Sequence, residues 1–435
     1  MELSLVIGVL AGVFFLLMLL GLPVALSFIA ANIAVLVVHS GTRFFGLIPL
    51  GMFDSLNSFV MIAVPLFIFM GEVIVRCNFV DLITDATEGL FGKIRSQSAL
   101  LTVATGTILA VLSGAPIATS ATLGSTLVPR MLNEGYKKWL ACGTALGGAA
   151  LAALIPPSSL AIVLATLAEV SPSRVLVGGI LPGLITSASF VVFILVISFV
   201  RPELVPAHVK ERSKKTTHEK LILILRALPL ALIVFLVLGV IFLGVATPTE
   251  AAALGAVGAI ILALAYRRLT WNIFAGSFLA TAKMTSMLFL IIASSSIFGR
   301  MLSLTGAGPE IVNMIVTAPV SPYTIISIMI VTVLIMGCFM DSMALMMITI
   351  PLFTPAVIAL GFNPIWFCVL ILITLGIAGI TPPVGMVLYA LKGACPAVSM
   401  SDVYTGAIPF FILQLIAVVL TIIFPQIGLW LPSFI

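Results

Sequence analysis

Leu154-Ile155-Pro156-Pro157-Ser158 and Ile380-Thr381-Pro382-Pro383-Val384 each set a Pro-Pro step inside a long apolar run, and the two steps lie 226 residues apart in a chain of 435. The same offset pairs Pro129 with Pro355, Gly135 with Gly361, Tyr136 with Phe362 and Cys142 with Cys368. An offset of 228 then aligns Ser171, Ser173, Val175 and Gly178 with Ser399, Ser401, Val403 and Gly406. The chain reads as an internal duplication. Proline inside a helix removes a backbone donor and frees carbonyls, which hydrocarbon cannot satisfy, so paired breaks at membrane depth must face protein or a water-filled site. Interrupted apolar helices at corresponding positions of two halves point to a transporter's binding site.

Composition sets the medium. With 62% hydrophobic and 8% charged residues, the chain reads as a polytopic membrane protein. Five scattered cysteines without C-x-x-C spacing favour neither a metal site nor a disulfide framework. The net charge of +5 comes from loop lysines and arginines and reads as topology, not as nucleic-acid binding. The start, Met1-Glu2-Leu3-Ser4, lacks the basic region of a signal peptide, so the first apolar stretch is expected to remain as a span.

Apolar stretches fall at 3–20, 22–39, 58–76, 97–129, 138–168, 175–200, 221–245, 251–266, 277–298, 322–357, 364–391 and 407–432. Two of them do not read as single crossings. Residues 97–129 break at Ser113-Gly114-Ala115-Pro116 into arms of roughly 16 and 13 residues, short for the ~30 Å hydrocarbon layer. Residues 322–357 break near Gly337 and Asp341. Both predict re-entrant hairpins, whose bases must share one compartment. Lys93, Arg95, Arg130, Lys137 and Lys138 flank the first and place its base in the cytoplasm, whereas no Lys or Arg occurs between Arg300 and Lys392, so the second opens outward. The basic connector 201–220 (Arg201, Lys210, Arg212, Lys214, Lys215, Lys220), Arg267-Arg268 and Lys392 then lie inside, and Arg43, Arg174 and Arg300 outside. The expected architecture is all-α: ten spans plus two hairpins, five spans and one hairpin per half, with the second half inverted. Residues 44–57 suit a helix lying in the interface. The division expected is 1–92, scaffold helices with an interfacial arm; 93–200, first transport half; 201–300, connector and second scaffold; and 301–435, second transport half.

Asp341 is the only charged residue between Glu310 and Lys392 and sits at the break of the second hairpin. Intramembrane carboxylates carry function by default. Three roles stay open for it: N-cap of the outgoing arm, direct or outer support of a cation, and substrate contact. Carbonyls freed at helix breaks are oxygen ligands for a hard cation such as sodium. Two pseudo-symmetric cation sites are expected, from Ser113, Gly114, Ala152, Ile155 and Pro157, and from Gly337, Asp341, Ala378, Thr381 and Val384. Substrate contacts are expected from Ala115, Pro116, Ser158, Ser342 and Pro383, where the N-termini of the following helices offer free N–H groups to an anion. Thr247-Pro248-Thr249-Glu250 fits a capping box with proline at the first helical position and reads as a helix start. Lys283 reads as reaching back to the cytoplasmic interface. No H-E-x-x-H, P-loop or carboxylate dyad is present, so zinc proteolysis, ATP hydrolysis and aspartyl chemistry lack their parts.

Ser113-Gly-Ala-Pro, the element ending in Pro156-Pro157-Ser158, Thr247-Pro-Thr-Glu-Ala-Ala, Met340-Asp341 and Thr381-Pro-Pro-Val-Gly385, in that order, resemble the large membrane subunit of tripartite ATP-independent periplasmic (TRAP) transporters. The resemblance covers essentially the whole chain. It implies a sodium-driven importer of the ion-transporter superfamily in the bacterial inner membrane, working by an elevator movement on a small organic anion such as a C4-dicarboxylate or sialic acid. It also implies a small four-span membrane subunit and a periplasmic solute-binding protein as partners, sodium as the coupling ion and no organic cofactor. Ala115 and Pro116 stand where family members often carry serine, and Ala152 where glycine is common, so backbone carbonyls would carry the first cation site. Two other readings compete: a standalone ion-coupled carrier of the same superfamily, and an intramembrane enzyme, against which the lack of paired ionisable residues at depth argues.

Overall fold

The computed structural model describes residues 3–40, 45–90, 95–206 and 217–435, and every regular element among them is helical. Arg43, Lys93, Lys210, Arg212, Lys214 and Lys215, which enter the charge argument above, lie outside the described residues. Large apolar side chains such as Phe199, Phe235 and Trp271 point outward, as expected where lipid replaces water around a protein. Six helices among the described residues are long and apolar enough to cross a bilayer: Phe59–Arg76, Pro172–Val200, Pro248–Ala265, Trp271–Leu302, Ser342–Ala359 and Met400–Ile423.

The helices pack as two groups. One joins Leu3–Leu19, Val24–Ser40, Leu47–Leu56 and Ala63–Arg76 to Thr217–Phe242, Pro248–Ala265 and Trp271–Leu304. The other joins two helical hairpins, Gln97–Ser113 with Pro116–Glu134 and Pro322–Gly337 with Ser342–Ala359, to two broken helices and to Ile180–Val200 and Met400–Ile423. The broken helices are Lys138–Ala150 with Ser159–Leu167, and Pro364–Gly379 with Met386–Ala394. Both Pro-Pro peptides, 156–157 and 382–383, are cis. The broken helices cross at Ala150 and Gly376, positions that the 226-residue offset makes equivalent, and a β-carbon at Gly376 would sit 2.7 Å from the Ala150 carbonyl oxygen. Only glycine permits that approach.

Local chemistry explains the boundaries. Gly114 ends the incoming arm of the first hairpin at φ 57°, and Pro116 opens the outgoing arm. That arm runs to Glu134, well past the expected end at 129. Charge at Arg130 does not stop it, because Arg130 pairs with Glu88 at 2.9 Å and with Glu134 at 3.5 Å. Thr247 caps Pro248–Ala265 with the expected capping box: its backbone N–H donates to Glu250 Oε2 at 2.7 Å, and the Glu250 N–H donates back to Thr247 Oγ1 at 3.3 Å. Such caps contribute about 1 kcal/mol each.

Element order runs broadly twice along the chain, and the copies differ at one long helix in particular. In the first copy Leu47–Leu56 and Ala63–Arg76 are separate, divided at Asn57 and at Ser58, which is extended at φ −114°. In the second copy the same span is one 34-residue helix, Trp271–Leu304, longer than the expected 277–298. The aligned position there is Thr281, whose hydroxyl donates to the Ser277 carbonyl within the helix. Lys283 accordingly lies about 18 Å from the start of that helix at 1.5 Å per residue, and is exposed.

Candidate functional site

Both hairpin tips and both broken helices meet at one cavity of about 420 Å³, lined also by helices Ala63–Arg76 and Trp271–Leu304. The first tip contributes Ser113, Gly114, Ala115 and Pro116, and the second Gly337, Asp341 and Ser342. Pro116, Ser159, Ser342 and Met386 each begin a helix, and all four line the cavity. Four helix N-termini therefore converge on one space, each bringing the positive end of a macrodipole, with the Asp341 carboxylate already seated on the one at Ser342. Apolar side chains of Ile68, Leu160, Met287 and Leu375 fill most of the remaining wall.

Capping explains how the tips hold shape. Asp341 N-caps the outgoing arm, its Oδ2 accepting the Met343 N–H at 3.0 Å. The Ser113 hydroxyl pairs with that of Thr119 at 2.8 Å and accepts the Ala115 N–H at 3.4 Å. Ser158, fully buried, donates to the Ala153 carbonyl at 3.0 Å and accepts the Ala161 N–H at 3.4 Å. Each tip rests on a break. A β-carbon on Gly114 would meet the Pro157 carbonyl oxygen at 2.8 Å, and the Val384 N–H donates to the Cys338 carbonyl at 3.2 Å.

The remaining sequence candidates stand outside the cavity wall. Ala152, Ile155 and Pro157 are buried within the first break, and Ala378 packs beneath Gly337 of the second tip. Thr381 donates to the Ile377 carbonyl at 2.6 Å. Pro383 is exposed, its carbonyl accepting from the Tyr389 and Tyr404 hydroxyls at 3.1 Å each.

Two polar residues escaped the sequence reading. Glu72, on helix Ala63–Arg76, lines the cavity and accepts from Arg76 Nε at 2.7 Å. The signal was present as a carboxylate inside an apolar run, but its spacing to Arg76 looks like an ordinary i,i+4 pair. A paired carboxylate thus borders the central cavity, with its partner one turn further along at the helix end. Gln414, 2% exposed, brings its Oε1 to 3.2 Å from a β-carbon placed on Gly376, and its Nε2 has no partner. Nothing in a lone glutamine flanked by apolar residues signals that position.

The helical fold has a counterpart among solved structures. The Alcanivorax borkumensis YdaH transporter has a similar structure at 12% identity, with a TM-score of 0.65 over 91% of this chain and 90% of that one. Residues 11–427 match the family described as "Tripartite ATP-independent periplasmic transporter, DctM component", and the chain belongs to that family. The C4-dicarboxylate TRAP transporter large permease protein DctM of Pseudomonas aeruginosa is 28% identical over 88% of this chain and 88% of its own length. The isethionate TRAP transporter permease protein DctMQ of Oleidesulfovibrio alaskensis is 28% identical over 97% of this chain, which spans 66% of that longer relative. The chain is therefore a large TRAP transporter membrane subunit of the bacterial inner membrane, and not an enzyme. Membership implies a small membrane subunit and a solute-binding protein as partners.

Proposed function

We propose that this chain forms the translocation path of a sodium-coupled importer of a small organic anion. The observation that carries the reading is the convergence of four helix N-termini on one cavity whose wall, among the described residues, holds no cationic side chain. Backbone dipoles can hold a carboxylate or sulfonate there, each contributing modestly. The wall also carries two carboxylates, Glu72 and Asp341. A co-transported cation would offset them, and the oxygen-rich tips and breaks fit sodium as cargo.

In this reading the duplicated halves are inverted, with ten spans and two re-entrant hairpins, and the hairpins and broken helices move as a unit against the scaffold. Dicarboxylates and isethionate, named for the relatives, support a small organic acid as the substrate. Capture at high affinity falls to the solute-binding protein, and the small membrane subunit completes the assembly. The two cation sites are those expected from the repeat, with Ser113, Gly114 and the first break on one side and Gly337, Asp341 and Thr381 on the other.

The test is uptake of labelled succinate and isethionate into proteoliposomes holding the whole assembly. Accumulation is expected with an inward sodium gradient and the binding protein outside. Equal uptake on a potassium gradient overturns the sodium coupling, and uptake by this chain alone overturns the tripartite arrangement.

A further inference from the structure

The Arg76–Glu72 pair is the charged feature of the cavity that anion binding at helix N-termini leaves unused. Glu72 stands on the wall, and Arg76 lies one helical turn further along. Its guanidinium has a built seat: a β-carbon on Gly276, across in Trp271–Leu304, would fall 3.1 Å from Arg76 Nη1.

The duplication repeats this arrangement at a second place. An offset of 224 takes Arg76 to Arg300, and one of 225 takes Gly51 to Gly276. Arg300 sits over Gly51, its Cδ and Nε each 3.3 Å from where a β-carbon would be, and donates to Asp54 Oδ2 at 2.7 Å. Each arginine is thus seated on a glycine contributed by the other copy and tied to a carboxylate. Only the Arg76 pair borders the cavity here: Arg300 lies about 18 Å along the helix from Leu288, the nearest lining residue on that helix.

We propose that Arg76 is a positioning residue that masks the Glu72 charge, so that an anion can occupy and leave the cavity at this end of the scaffold. Arg300 does the same with Asp54 when the cavity faces the opposite end. The proposal rests on the organic-anion reading above. An unmasked carboxylate on an apolar wall acts through a poorly screening medium and repels an anion several ångströms away. The pair adds little to stability, because one partner is 43% exposed and solvent screens exposed i,i+4 pairs. Its loss should therefore change the path and leave the fold intact.

The reconstituted assembly, with labelled succinate and isethionate as probes, separates the outcomes. Arg76→Gln is expected to raise KM and cut uptake about tenfold at low substrate, as one like charge in the path predicts. Glu72→Gln is expected to lower KM about threefold, and the double variant to return within about threefold of wild type, since removing both charges removes the repulsion. Arg300→Gln with Asp54→Asn should show the same rescue. Unaltered melting of the purified variants separates masking from folding. Unimpaired uptake by Arg76→Gln, or a double variant as slow as Arg76→Gln, overturns the assignment while wild-type transport stands. A wild-type assembly that moves neither acid overturns the organic-anion reading, and this proposal with it.

Discussion

The two Pro-Pro breaks begin from the same local chemistry and end in different surroundings. Every residue from Leu151 to Ser158 in the first is buried, and Gly179 and Gly183 press against the Leu154 carbonyl and the Ile155 side chain. In the second, Pro382, Pro383 and Val384 are exposed, and two tyrosine hydroxyls hold the Pro383 carbonyl. The first break is a sealed joint governed by volume. The second is an open one governed by hydrogen bonds that water or an ion could replace. Their tips differ too: Asp341 lies at the tip facing the second break, and the tip facing the first carries no charge.

The sharpest way to break this contrast is to overfill the sealed joint. A β-carbon at Gly179 meets the Leu154 carbonyl oxygen, backbone that cannot yield, so Gly179→Val should destabilise by about 3 kcal/mol. Val384→Ala at the open joint should stay within about 0.5 kcal/mol. Thermal melting of the purified assembly measures both, and equal losses would mean that the two joints are packed alike.

A second test concerns charge at the tips. Asp341→Ser keeps an N-cap side chain and removes the carboxylate, so melting should hold within about 1 kcal/mol. Sodium-driven uptake should nevertheless fall about tenfold, the loss equivalent to about 1.4 kcal/mol of cation binding. Full uptake by Asp341→Ser would leave Asp341 as a cap alone.

The smallest single-substitution effects are expected at the open joint itself. Tyr389→Phe and Tyr404→Phe each remove one of two donors to the same carbonyl. Singly they should cost about 0.5 kcal/mol, and together about 1.5 kcal/mol, because only the double variant removes both hydroxyl donors. A strictly additive pair in the same melting assay would show that Pro383 does not depend on them jointly.

Much of the site's skeleton was legible in the chain. The prolines, Gly114, the Thr247 capping box and Asp341 before Ser342 announce helix ends through backbone rules that act over a few residues. Glu72 was not legible as a wall residue, because an i,i+4 pair looks the same facing lipid, water or a cavity. The full length of the first hairpin's outgoing arm was missed for a related reason. An apolar-run criterion ends at Arg130, whose charge is in fact met by Glu88, 42 positions away in sequence.

By itself the sequence determined a duplicated, helical membrane chain, the positions of its breaks and the helix N-termini that follow them, because proline geometry, capping and hydrophobicity are local. Only the tertiary structure decided that those four N-termini share one cavity, that Glu72 faces it, and that one Pro-Pro joint is sealed while its repeat mate is open. Burial depends on which distant segments pack over a site, and identical local motifs carry no record of that.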